Sequence, residues 1–89
     1  MASTIEFAAT AARELNDLDA QHRKRILKFL QERLAPLDNP RSLGQALRGS
    51  QLGEFWKYRV GDYRLICKIE EVRLVVLVLR IGHRREICR

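Results

Sequence analysis

The chain of 89 residues is long enough for one domain with a single modest core, and its hydrophobic content of 46% excludes a disordered protein. The net charge of +6 is unevenly distributed: residues 1–54 carry 8 Lys/Arg against 7 Asp/Glu, whereas residues 55–89 carry 9 against 4. A basic C-terminal third predicts a localised anionic partner.

The cysteine content and the terminus exclude several other classes of protein. Cys67 and Cys88 are too few for a disulfide scaffold and lack metal-ligand spacing with either histidine, so we expect no cofactor and no metal. The N-terminus has no basic segment followed by an apolar stretch, and the longest apolar run, VVLVL, cannot cross a bilayer. We therefore expect a cytoplasmic protein.

The first half of the chain predicts one strand and two helices. Residues 3–8 alternate as a strand does, and Thr10 is expected to cap a short helix that ends near Leu18. Asp19 is expected to cap a longer helix that Pro36 ends. The apolar face of this second helix consists of Ile26, Leu27, Leu30 and Leu34.

The second half predicts a connector and then three strands. Residues 37–53 contain Asn-Pro and several glycines, and we interpret them as a connector with one helical turn. Residues 55–60 and 63–69 form a hairpin whose turn is Gly61-Asp62. Residues 72–81 are apolar on both faces, as in a central strand, and a turn at Glu70-Glu71 would precede them.

Alternation along the hairpin separates two faces of the sheet. The uncharged face, expected to cover the helices, carries Trp56, Tyr58, Val60, Tyr63, Leu65, Cys67 and Ile69. The other face carries Phe55, Lys57, Arg59, Arg64, Ile66 and Lys68, which Val75 and Leu77 would join. The predicted fold is therefore α+β, with two N-terminal helices on one face of a mostly antiparallel, curved four-stranded sheet of order β-α-α-β-β-β.

The hairpin turn places Arg59 directly opposite Arg64. Like charges across a ladder are destabilising by a few tenths to ~1 kcal/mol, so a bound anion would explain the pair. The basic face, interleaved with apolar residues, suits an RNA backbone with bases lying flat, or an acidic amphipathic peptide. The plainest alternative is a solvated face that happens to be basic.

Catalytic motifs are scarce on this basic face. It has no carboxylate pair, Ser-His-Asp arrangement or glycine-rich phosphate loop, and His22 is expected at the surface of a basic helix. A lysine among guanidinium groups can act as a base, and arginines can stabilise charge on a phosphorane-like transition state. The residues thus permit, without requiring, a metal-independent ribonuclease that uses the 2′-hydroxyl of RNA as nucleophile.

The stretches WKYRVGDYR and LRIGHRRE resemble the RelE/ParE superfamily of bacterial toxins, the RelE branch in particular. The resemblance implies a single RelE-like toxin domain over residues 1–89 with a microbial RNase-like fold. It also implies the toxin of a type II toxin–antitoxin system: an endoribonuclease that enters the ribosomal A site, cleaves mRNA and inhibits translation.

The resemblance also implies roles for individual residues. The catalytic set would be Lys57, Arg59, Arg64 and Arg84, and the RNA-binding set would be Lys68, His83, Arg85 and Cys88. Relatives usually carry a tyrosine at the position of Cys88. Because a thiol cannot stack on a base, this difference predicts reduced activity or altered codon preference.

The family further implies partners and alternatives. The partners would be an acidic RelB-like antitoxin, the ribosome with its mRNA, and operator DNA bound through the antitoxin. One alternative is a ParE-like toxin that poisons DNA gyrase without catalysis. The other is a weakened toxin that retains only antitoxin binding.

Overall fold

A computed structural model of the chain describes residues 2–47 and 55–83. Its helices are α1 (Ala9–Asn16) and α2 (Ala20–Lys28), and α2 continues as a π-helical segment (Phe29–Leu34). A 3-10 turn spans Pro40–Leu43. The strands are β1 (Thr4–Phe7), β2 (Gln45–Ala46), β3 (Phe55–Val60), β4 (Tyr63–Glu70) and β5 (Val75–His83).

The strands form one sheet in the order β1-β5-β4-β3-β2. β1 runs parallel to β5, and the remaining pairs are antiparallel, so the sheet is mostly antiparallel as predicted. The prediction of four strands was wrong by one. The additional strand, β2, lies in the expected connector, where two residues pair with Lys57 and Trp56 of β3.

The helix boundaries correct one predicted cap. Ala8, not Thr10, precedes the first turn of α1, and Thr10 lies inside the helix. Asp19 precedes α2 as predicted, although its side chain makes no capping hydrogen bond. The helix ends before Pro36, where the Ala35 amide donates to the Leu30 carbonyl over 2.8 Å.

The predicted apolar faces meet in the core. Tyr58, Leu65 and Cys67 lie on the uncharged face of the hairpin and are at most 1% exposed. Burial raises the pKa of the Cys67 thiol to about 12, consistent with a structural cysteine. The helical part of the same cluster consists of Ala11, Leu15, Ile26, Leu30 and Leu34.

The predicted hairpin turn is confirmed, whereas the next turn differs. Gly61 has φ 61°, which favours glycine, and the Arg25 guanidinium lies 3.1 Å from where a Cβ would stand. Glu70 still pairs with Val75, so the β4–β5 turn comprises residues 71–74 and not Glu70-Glu71. β5 accordingly begins three residues later than predicted.

A bulge in β5 changes which side chains face the helices. Ile66 pairs with Arg80 but Cys67 pairs with Val78, which leaves Leu79 as an extra residue. After the bulge the alternation is inverted, so Ile81 is buried in the core with Val78. The bulge therefore determines the orientation of every later residue of β5.

Glu14 of α1 covers the edge of β5 beyond the end of β1. Its carboxylate accepts hydrogen bonds from the Ile81 amide at 2.8 Å and from Arg80 Nη2 at 3.0 Å. Burial alone would raise the pKa of Glu14, but the bonds from Arg80 and Ile81 outweigh it and hold that pKa below 4.5. Across residues 2–47 and 55–83, no helix is long and apolar enough to span a membrane.

Candidate functional site

Three of the predicted site residues line one pocket of about 240 Å³. Lys57 and Arg59 come from β3 and Arg64 from β4, and Leu43 and Gln45 complete the wall. We call this site the cationic pocket. It lies on the sheet face opposite the helical core, as the alternation of the hairpin predicted.

The hairpin register positions the three cations. Arg59 pairs with Arg64 across the β3–β4 ladder, as predicted from the turn, and Lys57 pairs with Ile66. Directly paired residues project from the same face of a sheet, with Cβ atoms roughly 5 Å apart. The side chains of Arg59 and Arg64 therefore leave the backbone at neighbouring positions, and both line the same pocket.

Arg64 is the most unusual of the three cations because it is only 7% exposed. Its Nη1 atom is buried and makes no hydrogen bond within the described residues. On its other side the register partner is Gly82 of β5, which brings no side chain to satisfy it. A buried unsatisfied donor costs about 1–3 kcal/mol, more when charged, and a bound anion would remove that cost.

Three arginines outside the pocket have carboxylate partners. Arg41 contacts Glu71 at 2.7 Å, Arg73 contacts Glu6 at 3.3 Å, and Arg80 contacts Glu14. Within the described part of the chain, no carboxylate forms such a pair with Lys57, Arg59 or Arg64. The described carboxylates therefore do not neutralise the positive charge of the pocket by ion pairing.

Lys68 lies on the same sheet face but outside the cationic pocket. Its register partners are Phe55 of β3 and Leu77 of β5. Leu77 joins this face as predicted, and Val75 does so through its pairing with Glu70. Val75 is only 4% exposed, however, so it does not provide the open apolar surface that we expected.

His83 lies on the other face of the sheet. It pairs with Tyr63, and the two ring centroids are 5.8 Å apart. His22 contacts the same tyrosine at 5.1 Å, so it packs against a ring instead of standing alone at the surface. The structure therefore separates His83 from the cationic pocket, while Arg84, Arg85 and Cys88 lie outside the described residues.

Leu43 and Gln45 complete the wall of the pocket, and the sequence pattern did not predict either of them there. Both belong to the predicted connector, and two residues of β2 are too few to show a period-2 pattern. The only local signals were Pro40, which opens the 3-10 turn, and Gly44, which follows it.

The chemistry available in the pocket is that of anion binding. Guanidinium groups offer several donors in a planar array that matches phosphate oxygens, and lysine adds a compact charge. Nowhere in residues 2–47 and 55–83 do three or more His, Cys, Asp or Glu side chains gather as metal ligands. Side chains of these types bind phosphate oxygens and stabilise additional negative charge on them.

Two comparisons with known proteins give matches over nearly the whole chain. A family model described as the ParE toxin of the type II toxin–antitoxin system parDE matches residues 5–88. Toxin RelG of Mycobacterium tuberculosis is 33% identical over 89 residues, which cover 100% of this chain and 99% of the relative.

Two solved structures also match nearly the whole chain. The toxin–antitoxin complex RelBE2 from M. tuberculosis has a TM-score of 0.82 at 30% identity, covering 94% of this chain and 100% of that one. A mutant of the E. coli toxin RelE in the free state has a TM-score of 0.75 at 26% identity, covering 98% and 88%.

Proposed function

We propose that this chain, which belongs to the RelE/ParE superfamily of toxins from type II toxin–antitoxin systems, is a ribosome-dependent mRNA endoribonuclease. It would bind in the ribosomal A site in the cytoplasm and cleave the mRNA there without a metal ion, which stops translation. The single observation that carries the proposal is the cationic pocket, where buried Arg64 and its two neighbours lack carboxylate partners among the described residues.

The proposed reaction is an internal transfer within the RNA. The 2′-oxygen of one nucleotide attacks the adjacent phosphorus, and the bond from phosphorus to the 5′-oxygen of the next nucleotide breaks. The products are a 2′,3′-cyclic phosphate and a 5′-hydroxyl. The neutral amine form of Lys57 accepts the proton of the 2′-hydroxyl and becomes an ammonium. The departing 5′-oxygen takes up a proton from water, and the hydroxide left behind takes the proton back from Lys57.

The arginines act on the developing charge. Arg59 holds the phosphate backbone beside Lys57, and Arg64 hydrogen-bonds to the equatorial oxygens of the phosphorane-like transition state. Because Arg64 is only 7% exposed, little of its side chain has to leave water when the charge develops. Arg84 would hydrogen-bond to the departing oxygen, a role that follows from the family resemblance of LRIGHRRE alone.

The proposed protein partner is an acidic RelB-like antitoxin. The relatives RelBE2 of M. tuberculosis and RelBE of E. coli were solved as toxin–antitoxin complexes. A net charge of +6 favours fast association with an acidic segment, which would cover the cationic pocket and exclude RNA. The complex would bind operator DNA through the antitoxin.

The second candidate is a non-catalytic toxin that poisons DNA gyrase. The observation that favours it is the match of residues 5–88 to a family model described as ParE. Gyrase poisoning does not require three cations gathered in one pocket, so the cationic pocket favours the nuclease. The third possibility is a weakened toxin that only binds antitoxin. The reason to consider it is Cys88, which stands where relatives usually carry a tyrosine.

Primer extension on mRNA bound to purified ribosomes tests these functions. We expect cuts within the A-site codon by the wild-type protein and loss of these cuts in Lys57→Ala and Arg64→Ala. Arg73→Ala is the matched control, because Arg73 lies in the β4–β5 turn and contacts Glu6 and Glu70. Intact mRNA together with inhibited gyrase would support the second function, and an inert protein that still binds antitoxin would support the third.

A further inference from the structure

Residues 40–46, which contain the 3-10 turn and β2, are firmly held although they add little to the core. We call them the anchored segment. Gln45 and Ala46 of β2 are both exposed, so the strand buries almost no side chain of its own. The Tyr58 hydroxyl nevertheless donates to the Pro40 carbonyl over 2.9 Å, and this tyrosine is 1% exposed. A buried tyrosine thus anchors the 3-10 turn to β3.

Close packing fixes the same segment at a second point. Gly44 approaches the Tyr58 ring so closely that a Cβ on it would stand 2.8 Å from a ring carbon. One residue later, Gln45 pairs with Lys57 of β3. These contacts hold the main chain of the segment against β3 immediately beside the cationic pocket.

The anchored segment presents two side chains to the pocket. Leu43 and Gln45 line its wall together with the cations. Leu43 is 40% exposed, and the other large hydrophobic residues exposed in the described ranges, Val72 and Leu74, lie in the β4–β5 turn and do not line the pocket. Gln45 starts roughly 5 Å from Lys57, as paired residues do.

Neither of these side chains carries a positive charge that would attract a phosphate. An isobutyl group offers an apolar surface against which a planar base can lie, and a carboxamide offers one acceptor and two donors to the edge of a base. The cations in the same pocket would bind the phosphate. The two parts together match a nucleotide, with its phosphate on the arginines and its base on the anchored segment.

We propose that Leu43 and Gln45 form a nucleobase subsite that selects the base next to the phosphate held in the cationic pocket. The inference rests on the proposed function, because it takes RNA as the ligand of that pocket. Leu43 contributes apolar contact with the face of the base, and Gln45 contributes hydrogen bonds that differ from one base to another. The subsite therefore acts on substrate preference, whereas the cations act on affinity for the backbone.

Binding of short 2′-O-methyl RNA tests the subsite without cleavage, because the nucleophilic hydroxyl is blocked. The probes are tetranucleotides that differ in one base, together with an abasic version, and binding is measured by fluorescence anisotropy. We expect the wild-type protein to prefer one base over the abasic probe by roughly threefold to tenfold, the size of one or two neutral hydrogen bonds. Leu43→Ala and Gln45→Ala should reduce this ratio towards one.

Matched controls separate the subsite from general effects. Gln31→Ala removes an exposed glutamine of the π-helical segment, and Val72→Ala removes an exposed apolar side chain of the β4–β5 turn. Both should retain the wild-type preference. Gln45→Glu, which keeps the acceptor but removes the donors, should change which base is preferred, and circular dichroism of each variant establishes that it folds.

The outcomes for the two proposals differ. Wild-type protein that neither binds these probes nor cuts mRNA on ribosomes would contradict the proposed function. Wild-type protein that cuts mRNA but binds every base and the abasic probe equally would overturn the nucleobase subsite alone. The subsite is also overturned if the wild-type preference persists unchanged in Leu43→Ala and Gln45→Ala.

Discussion

Arg59 and Arg64 are direct cross-strand partners, and no carboxylate among the described residues forms an ion pair with either. The pairing is unfavourable in the free protein because two positive charges start from neighbouring points of one ladder. A phosphate that contacted both guanidinium groups would make the pairing favourable. Substitutions that remove one of these two charges should therefore leave the fold as stable or more stable, but should reduce mRNA cleavage.

Replacing Arg64 with methionine should test this opposition. Arg64→Met keeps the buried aliphatic stem but removes the unsatisfied Nη1, so the free energy of unfolding should stay level or rise by up to about 2 kcal/mol. Urea denaturation measures the change, and primer extension should show loss of cleavage. Arg80→Met, which breaks the pair with Glu14, should instead lower the free energy by up to about 1 kcal/mol. A large loss in Arg64→Met would mean that the guanidinium stabilises the free fold.

Inorganic phosphate should stabilise the wild-type protein. A ligand that binds only the folded state at ten times its Kd adds about 1.4 kcal/mol, which corresponds to a Tm increase of roughly 6–11 °C in a domain of this size. Thermal unfolding is followed at constant ionic strength, with chloride replacing phosphate in the reference samples. The double variant Arg59→Met/Arg64→Met should lose the increase, and Arg73→Met should keep it. An equal increase in all three proteins would place the phosphate elsewhere.

The Glu14 carboxylate should make part of the stability depend on pH. Its folded-state pKa is below the ordinary value of 4.5, so its ionised form stabilises the fold above that pH. This contribution decreases as the pH falls from 4.5 through the folded-state pKa. Glu14→Gln should cost about 0.5–1 kcal/mol at neutral pH, because the amide still accepts from Ile81 but no longer pairs with Arg80.

The measurement for Glu14 is the free energy of unfolding in urea at several values between pH 3 and pH 7. The difference between the wild-type protein and Glu14→Gln should shrink on the acidic side of this range. Glu32→Gln changes an exposed glutamate of the π-helical segment and should leave the pH profile as it is in the wild type. If the difference in free energy of unfolding between the two proteins were the same at every pH, ionisation of Glu14 would not be the cause of the pH dependence.

Adding a methyl group at Gly44 should disturb the segment that forms one wall of the pocket. The new Cβ would approach the Tyr58 ring to 2.8 Å, so Gly44→Ala should destabilise the protein by about 1–3 kcal/mol. The clash depends on one ring, which allows a double-mutant cycle with Tyr58→Leu. The double variant should be less destabilised than the two single changes together, and additive costs would mean that Gly44 is constrained by something else.

The local pattern of the sequence was sufficient to predict the hairpin and its faces. A period of two residues and the Gly61-Asp62 turn fixed the partners of Arg59 and Tyr58, and the structure has the same register. Helical spacing likewise identified the buried side of α2. These features depend on neighbours within one element or one turn, so their information is contained in a short stretch of chain.

His83 illustrates where local pattern was insufficient. Counting alternate residues from Val75 places it on the cationic face, but the extra residue Leu79 inverts the alternation and turns it towards Tyr63. A bulge forms to suit the pairing of two strands, and nothing in VVLVLRIGH marks which residue will be unpaired. The same holds for β2, whose two residues are held by pairing with Lys57 and Trp56 of β3.

The sequence by itself determined that three cations stand on one sheet face, because side chains alternate along paired strands. Only the tertiary structure decided that Arg64 is buried with an unsatisfied Nη1, that Glu14, Glu70 and Glu71 contact other arginines, and that Leu43 and Gln45 complete the wall. Burial and pairing depend on which distant segments meet, and these encounters are set by packing of the whole domain.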